Sequence, residues 1–158
     1  PIKSANTESW NGSSWTEVNN VNEARSANAS NGTVTSALIY GGEPASGDTA
    51  KTEIWDGSSW TEVADLNTAR EQNAGTGTNS TAALSFGGNT PPVSALTEDW
   101  NGSSWAEVAD LSTARRTLGA SNTSTTSAAG FGGKTATAIV ASTEEWSGSS
   151  NTVKVLTD

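Results

Sequence analysis

Apolar and polar residues alternate along this chain in runs too short for helices. Trp105-Ala106-Glu107-Val108 steps in period two, and Thr81-Ala82-Ala83-Leu84-Ser85-Phe86 is a short apolar run closed by Gly87-Gly88. Alternation of this kind predicts a half-buried strand, and a short apolar run between turn residues predicts a buried one. Four strands can be drawn between Arg70 and Val108: the small residues of 71–78, the run 81–86, the stretch 93–100 and the segment 105–108. Thr76-Gly77-Thr78-Asn79-Ser80 and Asn89-Thr90-Pro91-Pro92 separate the first three as turn and loop. Asn101-Gly102 predicts a tight hairpin, because both positions tolerate positive φ. Helical periodicity is hard to find. The best segment, Glu62 to Arg70, is short and carries Asp65, Asn67 and Thr68.

The same pattern recurs. Thr7-Glu8-Ser9-Trp10-Asn11-Gly12-Ser13-Ser14-Trp15 returns at 52–60 and 97–105 and fades at 143–150, at intervals of 45, 45 and 46 residues. A fixed period of this size marks stacked or radially arranged supersecondary units. Four antiparallel strands per unit predict an all-β fold, a β-propeller of four-stranded blades. The single repeat domain 1–158 divides into a half blade at 7–18 and blades at 25–66, 70–111 and 115–158, or about three and a half blades. The repeated tryptophans (Trp55, Trp60, Trp100, Trp105) suit the wedge between blades, where each buries on the order of 200 Å². The small residues Ala27, Ala29, Ala74, Gly75, Gly119 and Ala120 suit a crowded inner ring.

Ile39-Tyr40-Gly41-Gly42, Glu53-Ile54-Trp55, Trp60 and Ala69-Arg70 recur one unit on. Gly-Gly after an apolar strand, then Glu-x-Trp, a second Trp and Ala-Arg resembles the Kelch repeat, over almost the whole chain. The period is shorter than the roughly 50 residues of Kelch units, which implies short loops. The Ser/Asn/Gly-rich units are also similar to propeller-like proteins of phage particles. WD40 fits less well, since Trp55-Asp56 is unrepeated and the chain has no His.

Composition narrows the function. Apolar residues make up 33% and charged residues 16%, figures open to disorder, but all seven tryptophans stand at repeated positions. A net charge of −9 with a single Arg115-Arg116 pair excludes the basic stripe that nucleic acid requires. The absence of Cys, Met and His excludes disulfides, thiolate chemistry and the usual zinc or haem ligands. No apolar run is long enough to span a bilayer.

No catalytic, cofactor or metal site is expected. Arg25, Arg70 and Arg115 open the units, and Glu8, Glu53, Glu98 and Glu144 precede the first Trp of each hairpin. They are read as structural Arg–Glu pairs linking blades, with glycan or carboxylate binding as the sharper alternative. The turns 11–15, 56–60 and 101–105 are read as hairpins with an aromatic plug, or else as one sugar site per blade. Ser46-Gly47-Asp48 is too isolated for calcium. Glu144-Glu145 point to opposite faces of a strand and make no glycosidase pair. Asn101-Gly102-Ser103 matches a glycosylation acceptor in a chain where such triplets arise by chance.

The expected protein is therefore a non-enzymatic, Kelch-like structural or interaction module. Its unmatched half blade leaves open strand edges, so it is expected to self-associate, most simply as a homodimer, into a ring of six or seven blades. A virion or extracellular setting goes with the phage-like resemblance. The alternative is a multivalent, lectin-like carbohydrate binder. Asn151 stands where a second Trp is due, and the alternating tail 151–158 reads as a terminal, ring-closing strand.

Overall fold

A computed structural model describes residues 2–121, 124–148 and 154–156. Among them there is no helix, and fourteen strands form four antiparallel sheets. Strands β1 (Thr7–Trp10) and β2 (Trp15–Val18) pair alone. The first full blade is β3 (Ala29–Thr33), β4 (Ser36–Tyr40), β5 (Thr52–Trp55) and β6 (Trp60–Glu62). The second is β7 (Ala74–Asn79), β8 (Ala82–Phe86), β9 (Thr97–Trp100) and β10 (Trp105–Val108). The third is β11 (Gly119–Ala120), β12 (Ala128–Phe131), β13 (Thr143–Trp146) and β14 (Lys154–Leu156). Within each blade the strands lie in sequence order, every neighbour a hairpin or short loop away.

Blades meet along their first strands: β3 packs on β7, and β7 on β11. The apolar core is accordingly divided, one cluster per junction. Leu38, Tyr40, Leu66, Ala83, Trp100 and Trp105 fill the first junction. Leu84, Phe86, Leu118 and Ala128 fill the second, with Leu111 and Trp146 at its margin. Small residues on the inner strands permit this approach. A Cβ on Gly75 would collide with the Tyr40 hydroxyl, and one on Gly130 would stand 2.9 Å from the Phe86 ring.

The structure settles one poor helix candidate and differs from one local expectation. Segment 62–70 is not a helix; β6 ends at Glu62, and the connection that follows is tied to the first blade by Leu66 N–H on Ala50 C=O and Arg70 N–H on Thr49 C=O. Tertiary contacts satisfy its backbone where helix bonds would otherwise have done so. The hairpin at Asn101 is a four-residue loop rather than a two-residue turn, because Trp100 pairs directly with Trp105. Only Gly102 takes positive φ there, at 96°. Asn101 Oδ1 accepts from the amides of Ser103 and Ser104 and so caps the loop from its side chain. The tail 151–158 lies outside the described residues except for the backbone strand β14, which pairs with β13.

Candidate functional site

Each full blade is locked to the chain before it by one buried cluster. The connection between the first and second blades contains Asn67 and Arg70. The carbonyl of Arg70 accepts from Gly42 N–H of the first blade at 2.8 Å, while its guanidinium enters the second. There Nη1 donates to the carbonyls of Leu96 (2.7 Å) and Gly87 (3.3 Å), and Nη2 to Glu98 Oε1. The other oxygen of Glu98 accepts from the amide and side chain of Asn67 at 2.7 and 2.8 Å. Burial pushes the Arg70 guanidinium below its usual range, and the Glu98 carboxylate opposes that shift. Arg25 and Asn22 meet Glu53 in the same way, and Arg115 meets Glu144 at 3.0 Å, with the Ser112 amide on its second oxygen.

The Arg–Glu ion pairs expected to link blades therefore form, but each lies within one unit; the link to the preceding blade is made by the carbonyls of Arg70 and Arg115, which accept from Gly42 and Gly88. Asn22 and Asn67 were not singled out. The signal was an Asn-x-x-Arg spacing at 22–25 and 67–70, obscured by Ser112 in the third unit. Paired glycines receive the Arg carbonyl. Gly41 and Gly42 have φ of 65° and 104°, and a Cβ on Gly41 would stand 2.7 Å from the Arg70 oxygen.

Aromatic residues complete each junction. Trp105 lies on Tyr40 with ring centroids 4.9 Å apart and donates Nε1 to Thr52 Oγ1 at 3.0 Å. Burial pushes the Tyr40 hydroxyl far above its usual range. Trp55, Trp100 and Trp105 are only 6%, 1% and 6% exposed, whereas their counterparts in the half blade, Trp10 and Trp15, are 43% and 63% exposed. Glu8 is exposed too, and among the described residues no arginine pairs with it.

Other candidates have local explanations. Asp56 is exposed and accepts from Ser58 and Ser59, which hold its carboxyl down at about 2. Asp48, beside exposed Ser46 and Gly47, is pushed up by partial burial and by Glu71 and Glu43. Glu144 is buried and Glu145 exposed, on opposite faces as expected. Among the described residues no group of three or more acidic, His or Cys side chains could hold a metal.

Stacked four-stranded antiparallel blades, joined through buried apolar and aromatic junctions and the carbonyls of Arg70 and Arg115, define a β-propeller fold. No protein-family model matches the chain, and a comparison with curated proteins gives no match. Among solved structures it is similar to the one titled "Structure of YjhT", with a TM-score of 0.74 at 9% identity. The match covers 91% of this chain and 55% of the other, so the chain spans about half the length of that structure. At this identity the likeness defines the fold alone.

Proposed function

We propose that this chain is a non-enzymatic, Kelch-like β-propeller scaffold that self-associates with a second copy to close its ring. The observation that carries the reading is the exposure of Trp10 and Trp15, whose counterparts Trp55, Trp100 and Trp105 are buried and Trp60 and Trp146 half-buried. An aromatic pair on an open hairpin is apolar surface in want of a partner. Phe131 supports the same reading from the other end. It is 46% exposed, while its counterparts Tyr40 and Phe86 are 0% and 4% exposed beneath a following blade. The Kelch likeness is supported by the shared placement of Gly41-Gly42, Glu53, Trp55, Trp60 and Arg70 around one blade.

The lectin-like alternative requires an aromatic platform open to solvent in every blade. Trp55, Trp100 and Trp105 are engaged in packing, which favours the scaffold.

Light scattering on a size-exclusion column tests the reading. The expected mass is twice the chain's 16.1 kDa. A monomer at every concentration up to the millimolar range would overturn it.

A further inference from the structure

The two blade junctions differ in one respect. Trp105 plugs the first, but in the third blade the matching position is Asn151. A small apolar pocket lies at the second junction, lined by Leu84, Phe86, Thr97, Leu111, Ala128 and Trp146. These are the repeat counterparts of Leu38, Tyr40, Thr52, Leu66, Ala83 and Trp100, the residues that surround Trp105. The second junction thus repeats the surroundings of Trp105, while its own blade has no Trp at the plug position. The half blade has the opposite problem, for Trp15 occupies the plug position of its hairpin and is 63% exposed.

A second mismatch has the same form. An open cleft of about 760 Å³ lies between β1–β2 and the first full blade, lined by Trp10, Ser30, Ile39 and Trp60 among others. It is the place that the two inner strands of the half blade would fill. Trp60, the counterpart of Trp105, has a buried Nε1 with no hydrogen-bond partner. The third blade carries an inner strand pair, β11–β12, whose Phe131 is half exposed.

We propose that the ring closes by exchange of the outer hairpin. The β1–β2 hairpin of a second copy takes the place of β13–β14 beside β12, so that its Trp10 replaces Trp146 in the wall of the pocket at the second junction and its Trp15 takes the plug position there. The same move carries β11–β12 of the first copy into the partner's cleft, where Phe131 meets Trp60. Each contact has a template within the chain. Phe131 and Ala129 now face Thr143 and Glu145, and after exchange they face Thr7 and Ser9. Glu8 then lies opposite Gly130, as Glu144 does now, within reach of Arg115. Two copies make four whole blades and two shared ones, a ring of six, with the displaced β13–β14 hairpin of each copy outside it. This inference rests on the self-association proposed above and specifies its interface.

Cross-linking tests it directly, because the chain contains no cysteine. Facing residues in an antiparallel pair have Cα atoms about 4.5–5.5 Å apart, within disulfide range. A mixture of Ser9→Cys and Ala129→Cys chains, oxidised and mapped by peptide mass, is expected to give a disulfide between unlike chains. Trp15→Ala removes only an exposed side chain from the single chain, so its fold should persist. In the dimer it should raise Kd by about 100-fold or more. If the unaltered chain is a monomer, self-association and exchange both fail. If it is a dimer that forms no Ser9–Ala129 disulfide, or one whose Kd Trp15→Ala leaves unchanged, the exchange alone is overturned.

Discussion

Arg70 binds neighbouring blades because its two halves belong to different ones, its carbonyl to Gly42 and its guanidinium to Glu98, Leu96 and Gly87. Both charges are buried, so removing one strands the other. Arg70→Met should destabilise the fold by about 3–5 kcal/mol, read as a lower denaturant midpoint, because Glu98 loses its cation. Arg70→Lys should fail as well, since one ammonium cannot span a carboxylate and two carbonyls in the same plane. A midpoint within error of wild type for either variant would contradict the clamp. The repeated Arg and Glu were legible in the sequence because charged residues are sparse here. Asn67 was not: asparagine is common in this chain, and which ones meet a carboxylate is decided by a fold back onto a strand 31 residues away.

At the scale of strands, Gly75 and Tyr40 work as a matched pair. Gly75 lies in an inner strand without positive φ, so its role is steric: the Tyr40 ring occupies the space where its side chain would stand. Gly75→Ala should therefore cost about 1–3 kcal/mol through overpacking. Tyr40→Phe removes the nearest clashing atom, the hydroxyl, and should recover part of that loss when the two are combined. A double-mutant cycle on unfolding free energy measures the coupling, and strict additivity would sink the idea. Strand order and hairpin pairing were legible because they are local and repeat every 45 residues. The hairpin type was misread because Asn101 uses its side chain, rather than its own φ, to close the loop. The course of segment 62–70 was not legible, because its docking on Thr49 and Ala50 has no local signature.

Across the whole molecule, stability and assembly should be linked. If a second copy covers Trp15 and Phe131, the thermal midpoint should rise with protein concentration, as mass action requires when the native state is the one that associates. A midpoint constant over a hundredfold range of concentration would argue against coupled assembly. The period revealed the blades; what it could not reveal was which Trp finds a home, since exposure of identical motifs depends on whether a neighbour follows. Ala27, Gln72 and Thr117 are the left-handed non-glycine residues of the described chain, at matching places in successive blades. Gln72 N–H donates to Ala27 C=O, and Thr117 N–H to Gln72 C=O. This inner thread of hydrogen bonds has a direction, donor toward the earlier blade, like the arrow of a filament. Units that join by such an arrow can meet only tail to head. Whether they finish as a circle or run on without end then depends on the angle each blade turns, so a substitution that widens one wedge could convert a closed particle into a fibre.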